Sequence, residues 1–210
     1  MIASDGAWGI LGGTFDPVHN AHIRLAVHAY NELHLEKVIF IPAYIPPHKT
    51  DRIITGEKHR LEMTKLAVRD FAEFEVSDIE LKLSGASYTA RTLTILARQN
   101  QNLVFILGAD SFMALDSWYH PEIIFAKARI ACACRDGISA QSIKDKADFY
   151  DRKYGAVTHL LHMNDTDISS TEIRRLIAEG KDADEYLPAA VYEYIRENGL
   201  YLRDKRNVRI

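Results

Sequence analysis

The chain has 210 residues, 26 basic and 29 acidic side chains, a formal net charge of −3 and a hydrophobic fraction of 47%. This length suits a single α/β domain with a full core, and the composition excludes a disordered or fibrous chain. The near-neutral charge argues against a broad nucleic-acid-binding surface, although it allows a local basic pocket. No run approaches the roughly 18 apolar residues that a membrane span needs, and no signal peptide is visible. We therefore expect neither nucleic acid nor membrane as a partner.

The predicted strands are short apolar runs that alternate with amphipathic helical patterns along the chain. They comprise residues 9–11, 38–42, 74–79, 103–107, 130–134 and 159–163. Strands that are apolar at nearly every position are typical of parallel sheets covered by helices on both faces. The alternation predicts an α/β fold with right-handed βαβ units in a Rossmann-like, doubly wound, mostly parallel sheet. We expect a single domain over residues 1–210, with residues 165–210 as a C-terminal helical subdomain.

The first loop of interest follows the first predicted strand and reads G-G-T-F-D-P. Doubly wound sheets bind ligands at the carboxyl ends of their strands, which places this loop at the expected site. Gly12 and Gly13 lack Cβ atoms, so backbone N–H groups there can approach an anion closely. A tight turn would require glycine equally well. The loop matches neither the dinucleotide-binding fingerprint nor a P-loop.

Two histidines follow this loop, and Pro17 suggests that a helix begins there. His19 and His22 are three residues apart, so they share one face of the first turns. A helix N-terminus attracts anions, and imidazoles beside it can donate hydrogen bonds to phosphate oxygens. Surface histidines and a metal pair are the alternatives. Zinc would need a third ligand, and none stands at a suitable spacing.

The chain has two cysteines, Cys132 and Cys134, which lie in C-A-C within an apolar run. Residues two apart on a strand point to the same face, and a disulfide between them is geometrically disfavoured. We predict that both are buried, reduced thiols, which favours a cytoplasmic location.

A second polar motif, I-S-S-T-E-I-R-R, occupies residues 168–175. Ser169 or Ser170 can cap a helix that Gly180 ends, and a second helix then starts near Pro188 and closes at Gly199. Three successive hydroxyls followed one turn later by Arg174 also suit a polyphosphate, because a guanidinium binds phosphate oxygens bidentately. Arg175 is predicted to be a solvated charge on another side of the helix.

Together, G-G-T-F-D-P-V-H-N-A-H and I-S-S-T-E-I-R resemble the nucleotidyltransferase superfamily that has (H/T)-x-G-H and S-x-T-x-x-R motifs. The further segments I-P-P-H-K, S-Y-T-A-R-T-L, L-G-A-D-S-F and W-Y resemble, in order and spacing, the bacterial nicotinate-nucleotide adenylyltransferases. The resemblance covers roughly residues 9–202. It implies transfer of the adenylyl group of ATP to nicotinate mononucleotide, giving deamido-NAD and pyrophosphate. It also implies Mg²⁺ held mainly by phosphates and water, with no protein metal site.

The resemblance also implies roles for individual residues. Those assigned to catalysis at the phosphates are His19, His22 and Arg174. Those assigned to ATP binding are Gly12, Gly13, Thr14, Phe15, Gly108, Asp110, Ile168 and Ser169. Those assigned to the acceptor are Asp16, Lys49, Thr89 and Trp118. An indole can stack on a pyridine ring, although each acceptor residue also has an ordinary structural explanation as a turn, a solvated charge, a helix cap or core.

Two residues depart from the family pattern. Ala21 stands where the family usually has glycine, and Arg91 stands where an acid is common. Two alternatives therefore stay open: an adenylyltransferase acting on nicotinamide mononucleotide or phosphopantetheine, and a nucleotide-binding regulator without turnover. A homo-oligomer is compatible with the sequence.

Overall fold

A computed structural model describes residues 6–45, 54–83, 85–134, 139–163 and 168–202. It contains a six-stranded sheet with the spatial order β3-β2-β1-β4-β5-β6, in which every neighbouring pair is parallel. The strands are β1 (Trp8–Gly13), β2 (Lys37–Pro42), β3 (Phe74–Val76), β4 (Leu103–Gly108), β5 (Ala128–Cys134) and β6 (Thr158–His162). This order is the Rossmann order, which confirms the predicted fold class.

Helices cover both faces of the sheet. They are α1 (Asn20–Glu32), α2 (Glu57–Val68), α3 (Ile79–Leu83), α4 (Thr89–Leu96), α5 (Ala109–Met113), α6 (Pro121–Lys127), α7 (Ala140–Tyr154), α8 (Ser170–Ala178) and α9 (Ala189–Glu197). Successive strand residues point to opposite faces, so Leu11 enters one core with α1, α2, α8 and α9, while Ile10 enters the other with α4 to α7. The C-terminal helices α8 and α9 therefore complete the first core. In the described part of the chain, no helix is long and apolar enough to cross a membrane.

All six predicted strands are present, but the end of the third strand and the start of the first helix differ from the prediction. The third strand ends at Val76, and Ile79 instead begins the short helix α3. The first helix begins at Asn20 rather than at Pro17, and His19 is its extended N-cap. The chain first turns away from β1 through Phe15, whose φ is 49° and whose side chain is buried, so the following residues belong to the loop.

The C-terminal helix boundaries agree closely with the sequence. Ser169 is the N-cap of α8, and its hydroxyl accepts a hydrogen bond from the third N–H of that helix at 3.2 Å. Gly180 follows the end of α8 with a φ of 72°, and Gly199 follows α9 with a φ of 58°. Both need the left-handed region that glycine adopts without strain. Pro188 is the N-cap of α9, one position before its expected place.

The two cysteines lie on β5, and neither forms a disulfide. Cys132 is buried, and burial raises the pKa of its thiol to about 12. Cys134 is half-buried and packs against the same core. The predicted buried thiol is therefore confirmed at Cys132 and only in part at Cys134.

Candidate active site

The candidate site is a cleft at the carboxyl ends of β1 and β4, which are neighbours at the centre of the sheet. From β1, the sheet continues through β2 and β3 on one side. From β4, it continues through β5 and β6 on the other side. This reversal opens the crevice in which doubly wound sheets bind ligands. Two adjoining lobes, with volumes of about 340 and 510 Å³, form the cleft. Their shared wall comprises Gly12, Gly13, Thr14, Phe105, Asp110, Ser111 and Trp118.

The smaller first lobe brings together all residues that the sequence assigned to catalysis and to ATP. These are His19, His22, Arg174, Gly12, Gly13, Thr14, Phe15, Gly108, Asp110, Ile168 and Ser169. They come from three separate places in the chain: the loop after β1 with the start of α1, the end of β4, and the start of α8. The parallel topology brings these segments to one edge.

The two glycines at the end of β1 differ in what an added side chain would meet. A Cβ on Gly13 would lie 2.7 Å from the ring of Phe15, so this position must be glycine for the turn to close. A Cβ on Gly12 would meet only a ring carbon of Phe105, at 3.9 Å, among the described residues. It would occupy the cleft itself. The turn explanation therefore holds for Gly13, whereas packing among the described residues does not require glycine at position 12.

The two histidines stand together at the N-terminus of α1, with ring centroids 3.8 Å apart and planes inclined by 35°. His19 is buried, and its backbone N–H donates to Nδ1 of His22 at 3.2 Å. Because Nδ1 accepts this bond, the neutral ring of His22 carries its proton on Nε2. The ring edge of Phe15 also packs on His22, with centroids 5.1 Å apart. Both imidazoles therefore have a fixed orientation toward the first lobe.

Helix α8 is fastened to the loop after β1, which unites the two sequence motifs. Ser170 donates its hydroxyl hydrogen to the Pro17 carbonyl at 3.0 Å. Arg174 donates through Nη1 to the Asp16 carbonyl at 2.6 Å, and through Nη2 to the hydroxyl of Thr171 at 3.2 Å. These bonds hold the guanidinium at the rim of the first lobe, beside the N-terminus of α8.

The neighbouring Arg175 points away from the cleft, as the sequence predicted. Its side chain is 50% exposed and forms ion pairs with Glu172 at 2.5 Å and Glu179 at 2.8 Å. These carboxylates raise the pKa of Arg175. It is a paired surface charge, rather than a phosphate ligand.

The larger second lobe is lined by two of the predicted acceptor residues, Thr89 and Trp118. Thr89 begins α4, and Trp118 packs edge-on against Phe105 with centroids 6.2 Å apart. Tyr119, which is 55% exposed, packs against Tyr88 with ring centroids 4.3 Å apart. The two rings form an aromatic rim of the second lobe. Aromatic side chains therefore form part of the wall of the second lobe.

A half-buried carboxyl group, that of Glu80, also lines the second lobe. Its Oε1 accepts the hydroxyl hydrogen of Thr92 at 2.7 Å. Burial raises the pKa of Glu80, while hydrogen bonds from Ser87 and Thr92 lower it to a smaller extent. No sequence motif singled out this residue, which directly follows the third predicted strand.

One predicted acceptor residue, Asp16, is placed differently from Thr89 and Trp118. Asp16 lines the first lobe and not the second. Its carboxylate is buried and accepts hydrogen bonds from the Tyr201 hydroxyl at 2.7 Å and the Thr55 N–H at 3.4 Å. Lys49 lies outside the described residues.

The residues that depart from the family pattern lie away from the cleft wall. Ala21 is buried in the core behind α1, and Arg91 is exposed on α4. Neither lines either lobe. Among the described residues, no cluster of three or more His, Cys, Asp or Glu is arranged to hold a metal ion.

Sequence reasoning missed Arg60, on α2, whose side chain is buried. Two leucines of this helix, Leu61 and Leu66, are only half-buried. The buried face carries Arg60, Met63, Thr64, Ala67 and Val68. The signal was that position 60 precedes Met63 and Thr64 by three and four residues, which puts an arginine on the core side.

Comparisons with known proteins agree with this geometry. The cytidylyltransferase-like family profile matches residues 10–176. A protein of Clostridium botulinum (strain Kyoto) described as "Probable nicotinate-nucleotide adenylyltransferase" is 42% identical over 196 residues, covering 91% of this chain and 97% of its own. A Lachnoclostridium phytofermentans protein of the same description is 39% identical, with coverage of 92% and 98%.

A solved structure, Plasmodium falciparum nicotinic acid mononucleotide adenylyltransferase complexed with NaAD, superimposes with a TM-score of 0.77. It is 20% identical, and the match covers 93% of this chain and 97% of that one. The match extends the agreement in fold to nearly the whole chain. With a Rossmann sheet, a two-lobed cleft at its switch point and relatives of this identity, the chain belongs to the nicotinate-nucleotide adenylyltransferase family of cytidylyltransferase-like proteins.

Proposed function

We propose that this chain transfers the adenylyl group of ATP to nicotinate mononucleotide, producing deamido-NAD and pyrophosphate. The observation that carries the proposal is the pair of cleft lobes joined at the Gly12–Gly13–Thr14 turn. One lobe is suited to phosphates and the other to a flat ring, and the reacting groups would meet at their shared wall. The descriptions of the curated relatives support the same reaction.

ATP would occupy the first lobe with its phosphates between the N-termini of α1 and α8. Helix N-termini favour anions, and His19, His22 and Arg174 add hydrogen-bond donors on two sides. Because Nδ1 of His22 accepts the His19 N–H, its Nε2–H would be the donor to a phosphate oxygen. Asp110 and Ser169 would hold the nucleoside end.

The chemistry follows from this placement. A phosphate oxygen of the mononucleotide attacks the α-phosphorus of ATP, a new P–O bond forms, and the bond to the β-phosphate oxygen breaks as pyrophosphate leaves. The nucleophile is already anionic at neutral pH, so the histidines act as hydrogen-bond donors rather than bases. The main barrier is the approach of two anions, and donors fixed before reaction lower it by positioning and electrostatics.

The acceptor would occupy the second lobe. Trp118 would stack on the pyridine ring, and Thr89 with the first N–H groups of α4 would bind its carboxylate. Asp16 and Lys49 are further candidates for acceptor contacts; the Asp16 carboxylate already accepts the Tyr201 hydroxyl, so its contribution would be to the shape of the loop.

Mg²⁺ would accompany ATP, held by phosphate oxygens and water. Among the described residues, Asp16 and Asp110 are the carboxylates that line the first lobe, and carboxylate oxygens are compatible with such an ion. When bound, the ion neutralises charge on the departing pyrophosphate. Free thiols at Cys132 and Cys134 suit a reducing compartment, and we place the enzyme in the cytoplasm.

The direct test is pyrophosphate release from ATP and nicotinate mononucleotide, with and without Mg²⁺. The adjacent arginines provide a matched pair: Arg174→Met should reduce turnover by roughly 10²- to 10³-fold, whereas Arg175→Met should leave it unchanged. A second assay with nicotinamide mononucleotide should give a much lower kcat/KM, because a site built for a carboxylate penalises the amide. No pyrophosphate release from the acid acceptor would overturn the proposal.

A further inference from the structure

The buried guanidinium of Arg60 lies behind the cleft and lines neither lobe. Its Nε donates to the Thr55 carbonyl at 2.8 Å. Its Nη1 donates to two carbonyls, Thr14 at 2.8 Å and Ala43 at 2.6 Å, and its Nη2 donates to that of Tyr44 at 3.2 Å. A guanidinium has five N–H donors, so four of them are spent on backbone carbonyls from three separate segments.

Each of these segments bears on the cleft. Thr14 belongs to the turn that both lobes share, and Ala43 lines the second lobe. Tyr44 and Thr55 stand before and after residues 46–53, the part of the sequence that contains Lys49. One rigid guanidinium plane therefore joins the turn at Thr14 to the chain on both sides of residues 46–53.

The charge of Arg60 is held without a close ion pair in the described part of the chain. Burial lowers the pKa of this arginine, and the charges of Asp16 and Glu57 oppose that shift. Four carbonyl dipoles supply most of the direct solvation. A core position would be filled at less cost by an apolar side chain, so a role limited to packing does not explain an arginine here.

We propose that Arg60 is a positioning residue for adenylyl transfer, one that fixes the turn carrying Thr14 relative to the segment that follows β2. The proposal rests on the proposed function. It holds that Arg60 keeps the attacking phosphate of the mononucleotide in line with the α-phosphorus of ATP. A displacement of about 1 Å at a reacting centre can cost roughly 10²-fold in rate.

The test compares Arg60→Met and Arg60→Lys with Ile143→Ala. Ile143 is buried on α7 in the opposite core and lines neither lobe, so its truncation lowers the melting temperature without touching the site. Methionine keeps the length of the arginine stem but donates nothing. Lysine keeps the charge, but its single nitrogen cannot span the four carbonyls, so it also serves if the methionine variant fails to fold.

We expect Arg60→Met to lower kcat/KM by roughly 10²-fold and to raise KM for both substrates. Arg60→Lys should recover part of this loss, and Ile143→Ala, once normalised for folded protein, should match the wild type. If the Arg60 variants keep wild-type kcat and both KM values when normalised in the same way, Arg60 only stabilises the fold and the proposal is wrong.

Amide hydrogen exchange supplies a readout that does not depend on turnover. In Arg60→Lys, amide exchange should become faster in both residues 12–16 and residues 43–45. In Ile143→Ala, the exchange rates of these two segments, relative to those of the rest of the chain, should match the wild type. A wild-type protein that released no pyrophosphate would refute the proposed function. Unchanged exchange in both segments would refute the positioning role separately.

Discussion

The contact between Tyr201 and Asp16 offers a quantitative test of how the C-terminus supports the cleft. Tyr201 follows α9, and its hydroxyl donates to the buried carboxylate of Asp16 at 2.7 Å. Burial, and then the Asp16 charge, raise the pKa of Tyr201, so it stays a proton donor through the neutral range. A hydrogen bond to a charged, buried acceptor contributes about 1.5–3 kcal/mol. Tyr201→Phe should therefore reduce the free energy of unfolding by about that amount.

The chain contains a matched control. Tyr192 donates to Asp182, also at 2.7 Å, but this pair lies on the exposed surface. Tyr192→Phe removes the same hydroxyl from a hydrogen bond of the same length. Because Asp182 is exposed, water can donate to its carboxylate in place of Tyr192. Urea denaturation of both variants at pH 7 should show a clear loss for Tyr201→Phe and a value within error of wild type for Tyr192→Phe. Equal unfolding free energies for the two variants would show that burial of the acceptor does not decide the contribution.

Three further predictions concern the cleft. Because burial raises the pKa of Glu80, the folded state retains its proton above the ordinary glutamate pKa, and stability falls as pH rises through that window. Glu80→Gln should remove this fall, so denaturation curves should show its stability relative to wild type increasing from acid to neutral pH; a constant difference would contradict the argument. His22→Asn keeps an acceptor near the Nδ1 position but loses the Nε2 donor, so thermal melting should change little while kcat falls by roughly 10²- to 10³-fold. Gly12→Ala should keep the melting temperature and raise the KM for ATP, whereas Gly13→Ala should cost about 1–3 kcal/mol in stability through its clash with Phe15. Equal thermal melting of the two glycine variants would rule out this division of roles.

Much of the first lobe could be predicted from the sequence because its residues come in local motifs. The two histidines, the glycine turn and S-S-T-E-I-R are each defined by spacing within one turn or one helix start. The sheet topology then brings the motifs together, as Arg174 shows by donating to the Asp16 carbonyl 158 residues away. Their catalytic roles remain predictions until the variants are assayed.

The start of α1 was placed too early because Pro17 is a strong helix-start signal when read alone. In the structure, the positive φ of Phe15 and the packing of its ring on Gly13 and His22 extend the loop to His19. The helix propensities of these residues do not indicate that their side chains will pack together. The loop's length therefore could not be predicted from Pro17 alone.

The sequence by itself determined the parallel sheet, its order of elements and the donors at two helix starts, because periodicity and capping are local properties of a chain. Only the tertiary structure decided which polar residues are buried. Arg60, Tyr201 and Glu80 belong to no sequence motif, yet each is held by partners that are distant in the chain or brought close by folding. A hydrogen bond to a carbonyl or a carboxylate depends on where the acceptor is placed by packing, and no pattern of neighbouring residues records that position.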